Sequence, residues 1–179
     1  QDVARMLKLA MVTGLRRGEI FKLEDRDLDF HQELVKIRDP KGKKPTTIPM
    51  NLPAREILEA QCKWRDEKFN GSPYIFPGRK GSRRVDCSAV DRIKTKAKLP
   101  KKFRIFHGLR HHFGVTLANS GEFSLDMIGQ LMTHKSTAMT KRYSQFLPST
   151  IKKASNRAAD ILLSQANTDI KDNVKNIKK

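Results

Sequence analysis

The segment HGLRHHFGVTLANSG, residues 107–121, decides how this sequence is best interpreted. Leu109, Phe113, Thr116 and Leu117 recur within it at helical spacing and form an apolar face. The closing Asn-Ser-Gly is a typical stop signal. We therefore expect a helix whose other faces carry the histidines and the arginine.

The polar side of this helix has the residues for phosphoryl transfer. His107 and Arg110 lie three positions apart and so share a face, where one can exchange a proton and the other can hold an oxyanion. His111 and His112 are expected to point elsewhere. The pattern is not HExxH and has no carboxylate within a turn, so we predict no metal site.

A second candidate segment is Thr13–Glu19, with the sequence TGLRRGE. Gly14 ends a helix in which apolar residues recur from Val3, and Arg16 follows where the backbone turns. Its planar guanidinium can face a phosphate, with Glu19 fixing its orientation. The segment taken alone is more typical of a surface ion pair.

The third candidate is Tyr143, one of two tyrosines in the chain. It follows an apolar pattern and stands between Arg142 and Ser144, which is unusual for a core residue. A phenol nucleophile with an ordinary pKa near 10 needs nearby cations and a base. The alternative is an interfacial tyrosine whose hydroxyl is hydrogen-bonded.

The rest of the pattern is mostly helical. Residues 34–37 and 46–48 read as the strands of a β-hairpin whose tip is Asp39–Lys43. We predict a mainly α fold with a small antiparallel β-sheet, of the α+β class. One domain spans residues 1–165, and residues 166–179 form a polar tail that we expect to be flexible. Capping and spacing signals predict further helices over residues 51–69, 88–98, 125–132, 136–142 and 149–165.

The chain carries 37 lysines and arginines against 19 acidic residues, a formal charge of +18 in 179 residues. Half of that excess lies between Arg79 and Arg104, where only Asp86 and Asp91 oppose eleven basic residues. Such clustering favours a nucleic-acid backbone as partner over a generally solvated surface. The candidate DNA-binding residues are Lys43, Lys44, Arg79, Lys80, Arg83, Arg84, Lys101, Lys102 and Arg104.

Composition also excludes several classes. The apolar runs are too short to span a membrane, and two separated cysteines, Cys62 and Cys87, indicate neither a disulfide framework nor a zinc site. The first residues lack the apolar core of a signal peptide. We expect a cytoplasmic protein.

Four blocks in order resemble the catalytic domain of the tyrosine recombinases, the phage-integrase group of site-specific recombinases. Thr13–Glu19 is similar to the family's first-arginine motif, and Lys41–Pro49 to its β-turn lysine segment. His107–His111 matches the H-x-L-R-H box, and Leu131–Tyr143 the L-G-H…Y block. Thr133 stands where the family usually has glycine.

The resemblance implies a role for each matching residue. Lys41 is preferred over Lys43 and Lys44 as general acid because it lies eight residues before Pro49, as the family lysine does. The implied roles are nucleophile for Tyr143, phosphate clamp for Arg16 and Arg110, general acid for Lys41, proton transfer for His107, a phosphate hydrogen bond for His134, and orientation of the site for Glu19.

The implied activity is cutting and rejoining of DNA through a 3′-phosphotyrosyl intermediate, without metal or ATP, for integration or excision of a phage or other mobile element. The implied partners are double-stranded attachment sites, other protomers of a synaptic tetramer, and accessory DNA-bending or directionality factors; no membrane is involved. The implied setting is the nucleoid of a bacterium. A separate amino-terminal DNA-binding domain is expected to be missing here.

Alternatives remain at this point. A type IB topoisomerase-like relaxing enzyme shares the tyrosine, arginine and lysine chemistry. A non-catalytic basic DNA-binding module would share the charge. The helix from Ser149 is expected either to contact a neighbouring protomer or to belong to the core.

Overall fold

The computed structural model describes residues 2–39, 44–134, 136–146 and 152–161. Its three strands form one sheet, and most of the remaining regular structure is helical. Residues 152–161 are also helical, and all of them are exposed. The helices are α1 (Asp2–Thr13), α2 (Arg17–Ile20), α3 (Leu52–Lys68), α4 (Ser88–Lys96), α5 (Ile105–Ser120), α6 (Leu125–Leu131) and α7 (Thr137–Thr140).

The first helix forms where the apolar spacing predicts it. α1 buries Met6, Leu9 and Ala10 and is followed by Gly14, whose φ of 67° few other residues adopt readily. A Cβ at Gly14 would also lie only 2.6 Å from the Phe113 ring. The glycine therefore both ends α1 and allows its close approach to α5.

The sheet is antiparallel, with the strand order β1 (Leu28–Asp29), β2 (Leu34–Ile37) and β3 (Thr46–Pro49). Val35 and Ile48 pair across the two longer strands, and both are buried. The predicted hairpin is therefore confirmed, although its tip at 40–43 lies outside the described residues. The two-residue β1 is too short for alternation to predict it.

Two helices begin at a side-chain cap of the kind that the sequence predicts. Asn51 accepts a hydrogen bond from the backbone of Ala54 and opens α3, and Ser124 does the same for α6 through Met127. The starts of α4, α5 and α7 lack a side-chain cap, and α4 ends at Lys96, two residues before its predicted end.

Two hydrophobic clusters make up the core. The larger joins α1, α2, the sheet and α3 with Phe106 at the start of α5. The smaller consists of Ala118, Ile128, Met132 and Tyr143, with half-buried neighbours. Since α5 contributes to both clusters, it connects the two parts of the molecule.

The buried stripe of α5 differs from the apolar face that the sequence predicts. Phe106, Arg110, Gly114 and Ala118, spaced four residues apart, are buried, whereas Thr116 is exposed. A stripe with an arginine and a glycine has little hydrophobic signal. The stripe is buried because neighbouring segments approach it closely, and hydrophobic periodicity along the sequence does not predict such an approach.

The fold class is confirmed: the chain is mainly helical with one small antiparallel sheet. Among the described residues, no helix combines the length and apolar character needed to cross a membrane. Both cysteines are unpaired and half-buried, and burial raises the pKa of Cys62 to about 11. The predicted tail at 166–179 lies outside the described residues.

Candidate active site

An open cleft of about 990 Å³ lies between the two core clusters and collects residues from three of the sequence blocks. Arg16, His107, Arg110, His134 and Tyr143 all line it. Described cationic side chains outnumber carboxylates in its wall by seven to three. They are Arg16, Arg17, Lys22, Lys94, Arg104, Arg110 and Arg142, against Glu19, Asp39 and Asp91.

Arg110 is held at the base of this cleft by backbone carbonyls. Its Nη1 donates to the carbonyl of Gly14 at 2.6 Å, and its Nη2 donates to the carbonyl of Met132. The residue is only 7% exposed. The Gly14 carbonyl follows α1 of the larger cluster, and the Met132 carbonyl follows α6 of the smaller one. The guanidinium is therefore fixed where α1, α5 and α6 come together.

Arg16 is oriented by the predicted partner and by one that was not predicted. Its Nη1 lies 2.8 Å from Glu19 Oε1, while its backbone NH donates to the other carboxylate oxygen at 2.7 Å. The same Nη1 donates to Thr133 Oγ1 at 2.7 Å and to the Thr133 carbonyl at 3.2 Å. Since Glu19 is 4% exposed at its side chain, this pair is not an ordinary surface ion pair.

Tyr143 lies in a 3₁₀ turn at Lys141–Phe146 and is 3% exposed. Its ring stacks on His134 with centroids 6.3 Å apart and contacts His111 at 5.6 Å. A Cβ on Gly114 would lie 2.5 Å from Tyr143 Cζ, so the glycine provides the space for the phenol ring. Tyr143 is therefore both a core residue and part of the cleft wall.

The histidines occupy different places in the site. His134 Nδ1 lies 2.8 Å from Thr140 Oγ1, which orients its ring. His107 is exposed in the cleft. His111 lines the cleft as well and contacts Tyr143, so the expectation that it points elsewhere is wrong. One residue after Arg110 on α5, it is turned toward the second cluster rather than away from the site.

Burial, and secondarily the cations of the cleft, shift the pKa values of three groups in the site. Burial, reinforced by the charge of Arg16, lowers the pKa of Arg110 to about 10. Desolvation in the cleft, together with Arg104 and Arg142, lowers the pKa of His107. Burial raises the pKa of Tyr143, and the charges of Arg110 and Arg142 oppose that rise. The site thus favours a neutral imidazole and a protonated phenol.

The candidate DNA-binding cations divide into three groups. Arg104 lines the cleft. Arg84 is half-buried, ion-pairs with Asp2 and donates to the carbonyl of Pro77, which gives it a structural role that its position in the basic window did not reveal. The remaining described ones are exposed, away from the cleft wall: Lys44, Arg79, Lys80, Arg83, Lys101 and Lys102.

Two of the predicted lysines, Lys41 and Lys43, lie outside the described residues. Asp39, two residues before Lys41, lines the cleft and pairs with Lys22 at 2.6 Å. The described part of the chain has no group of three or more histidines, cysteines and carboxylates positioned to hold a metal ion.

Sequence reasoning missed several residues of the site. In the sequence Thr133 stands out only as a departure from glycine, and its residue type does not indicate a contact with Arg16. Arg17, Lys22 and Arg142 lie outside the densest basic window. Arg142 carried a usable signal because it is adjacent to Tyr143.

Comparison with known proteins agrees with the four blocks. The model of the phage integrase family matches residues 2–149. A probable integrase/recombinase protein of Methanocaldococcus jannaschii is 28% identical over 149 residues, covering 79% of this chain and 44% of that protein. The prophage integrase IntF of Escherichia coli is 29% identical over 171 residues, covering 94% of this chain and 36% of that protein. The chain thus spans less than half the length of these relatives.

Solved structures share the fold. The crystal structure of XerA recombinase superposes with a TM-score of 0.67 at 23% identity, covering 87% of this chain and 57% of that one. The Tn1549 transposon integrase in complex with transposon right end DNA gives a TM-score of 0.70 at 18% identity, covering 87% of this chain and 59% of that one.

Proposed function

Because the matching family model covers most of its length, this chain belongs to the phage integrase family, and we propose that it is the catalytic domain of a tyrosine site-specific recombinase. The observation that carries the proposal is the convergence of Arg16, Arg110 and Tyr143 on one cationic cleft. These residues come from three sequence-distant segments, which no surface ion pair or isolated core tyrosine would require.

In the proposed reaction the phenol oxygen of Tyr143 attacks the phosphorus of a DNA phosphodiester. A P–O bond to tyrosine forms, the P–O5′ bond breaks, and the products are a 3′-phosphotyrosyl ester and a free 5′-hydroxyl. His107 accepts the phenolic proton, and Lys41 donates one to the leaving 5′-oxygen. Attack by the 5′-hydroxyl of a partner strand reverses these steps and releases the tyrosine.

Charge stabilisation is the main contribution of the arginines. The pentacoordinate transition state carries more negative charge on its non-bridging oxygens than the ground state does, and preorganised cations favour it. The carbonyls that hold Arg110 and the carboxylate that holds Arg16 supply that preorganisation. His134 completes the set with a hydrogen bond to a phosphate oxygen.

No external energy source is needed in this scheme. The phosphotyrosyl ester conserves the energy of the phosphodiester, so rejoining requires no ATP. Two arginines and a lysine supply the positive charge that a metal ion would otherwise provide. The assignment of Lys41 is supported by its spacing and by the position of Asp39 on the cleft wall.

We propose double-stranded attachment sites as the substrate and other protomers of the same protein as partners in a synaptic tetramer, with accessory DNA-bending factors. The relatives named integrase and recombinase support strand exchange over simple relaxation. The exposed cations Lys44, Lys101 and Lys102 are then contacts to the DNA backbone around the cleft. Residues 1–165 would form the catalytic unit.

The test is capture of the covalent intermediate. The protein is incubated with fragmented genomic DNA from its source, complexes that survive detergent are collected, and the attached DNA is sequenced. We expect one recurring DNA site and a phosphotyrosyl peptide containing Tyr143. Tyr143→Phe should abolish the complex while DNA binding persists.

The chain offers a matched control in its other tyrosine. Tyr74 is half-buried and does not line the cleft, so Tyr74→Phe should leave the covalent complex intact. An adduct that persists in Tyr143→Phe would overturn the assignment. Relaxation of any supercoiled plasmid without preference for one site would favour the topoisomerase alternative.

A further inference from the structure

Thr133 adopts a backbone conformation that is unfavourable for its residue type. Its φ is 51°, in the left-handed region that β-branched side chains rarely occupy. The other described non-glycine residues with positive φ, Glu33, Lys80 and Lys98, are exposed, whereas Thr133 is 4% exposed. A glycine would satisfy this backbone at lower cost.

The Thr133 side chain makes hydrogen bonds that glycine lacks. Its hydroxyl accepts from Arg16 Nη1 at 2.7 Å and donates to Glu19 Oε1 at 3.1 Å. It therefore closes a three-membered network with the Arg16–Glu19 ion pair, and its own carbonyl adds a second acceptor for Nη1.

The network determines which nitrogens of the Arg16 guanidinium remain available to a ligand. Every side-chain hydrogen bond that Arg16 makes to the described residues uses Nη1, and none uses Nε or Nη2. The pair Nε–Nη2 is one of the two edges through which a guanidinium can bind a phosphate in a bidentate contact. Anchoring Nη1 thus leaves this edge for the cleft.

We propose that Thr133 is a positioning residue whose hydroxyl fixes the guanidinium of Arg16 for phosphate binding. The proposal rests on the proposed function, because it assigns the phosphate ligand to Arg16. Unlike a purely structural role, this role predicts that removing the hydroxyl weakens phosphate binding without lowering the unfolding temperature.

The variants Thr133→Gly and Thr133→Ser separate these roles. Glycine removes the hydroxyl and relieves the left-handed backbone, whereas serine keeps the hydroxyl. Two properties are measured on each full chain: rotation of the Arg16 guanidinium about its Cζ–N bonds by ¹⁵N NMR, and affinity for inorganic phosphate at low ionic strength. Thermal unfolding is recorded alongside.

We expect Thr133→Gly to unfold at the same or a higher temperature, because relief of the left-handed backbone offsets the lost hydrogen bonds. It should free the rotation of Arg16 and bind phosphate roughly tenfold more weakly, because binding must then immobilise a mobile guanidinium. Thr133→Ser should restore both properties to within about twofold of the original chain. In cleavage of the captured DNA site, the glycine variant should lower the rate at saturating DNA, and DNA affinity should change far less than phosphate affinity because many other backbone contacts set it.

The two readouts distinguish the failure of this proposal from that of the proposed function. Equal Arg16 rotation in the glycine variant and the original chain would overturn the positioning role, and so would a serine variant that behaves like glycine. If the original chain binds no phosphate while Arg16 rotation still depends on the hydroxyl, the positioning role stands and the phosphate site under the proposed function is wrong.

Discussion

At the scale of single residues, the site depends on charged groups held by neighbours that do not react. Arg110 is buried against two carbonyls, and Arg16 is bound to Glu19 and Thr133. Both guanidiniums are therefore restrained before any ligand binds, and under the proposed function this is the condition for strong electrostatic stabilisation of the transition state.

The pH dependence of cleavage follows from the shifted imidazole. A base must be neutral to accept the phenolic proton, and the pKa of His107 is lowered, so it stays neutral at pH 7. As the pH falls through this lowered pKa, protonation should reduce the single-turnover cleavage rate. The acid limb should therefore lie below the ordinary histidine value of about 6.5 and disappear in His107→Gln.

His31, exposed in the turn between β1 and β2, provides the control, because His31→Gln should retain the whole profile. An acid limb that survives in His107→Gln but is lost in His111→Gln would contradict the role of His107. The proton acceptor would then be His111, whose imidazole also contacts Tyr143.

At the scale of elements, α5 shows where sequence reasoning succeeds and where it stops. The spacing of His107 and Arg110 correctly indicated that one helix brings both to the site. The predicted apolar face was wrong at Thr116, which is exposed, because the segments that pack against the helix decide which residues are buried. The contact of Arg110 with Gly14, 96 positions away, has no local signal.

Gly114 tests the packing of α5 against the tyrosine segment. In Gly114→Ala the added Cβ would lie 2.5 Å from Tyr143 Cζ and 2.9 Å from Met132 Sδ, so the ring must move. We expect a loss of about 1–3 kcal/mol in the free energy of unfolding, measured by denaturant titration, and reduced adduct formation.

The matched substitution is Gly18→Ala in α2, where a Cβ meets nothing within 4 Å. Its stability should stay the same or rise, because alanine has the higher helix propensity. If Gly114→Ala were as stable as the original chain, the close packing of Tyr143 on α5 would be refuted.

At the scale of the whole molecule, the +18 charge separates into parts with different partners. Some of it faces inward on the cleft, and Arg84 is neutralised by Asp2. Exposed lysines such as Lys101 and Lys102 remain for a polyanion. Net charge favours a polyanionic partner, as the proposed function requires, whereas the fold decides which cations are committed to internal contacts.

The salt dependence of DNA affinity measures how many exposed cations contact DNA phosphates. Each backbone phosphate neutralised on duplex DNA contributes about −0.9 to the slope of log affinity against log salt concentration. The double variant Lys101→Gln/Lys102→Gln should therefore reduce that slope by about 2, as measured by fluorescence anisotropy with a short duplex.

Lys63 and Lys68 are exposed on α3, outside the basic window, and their double replacement by glutamine serves as the control. Its slope should match that of the original chain. If both pairs changed the slope equally, the charge would act as a diffuse field rather than as a localised contact surface.

The position of Arg110 between the two hydrophobic clusters has a further consequence for the life of the protein in a cell. Its acceptors, Gly14 and Met132, belong to segments that pack in different halves of the core. A nascent or partly unfolded chain in which only one half has formed has no correctly held arginine beside its tyrosine. Under the proposed function, completion of folding is then a safeguard, because an immature molecule would bind DNA through its lysines without cleaving it.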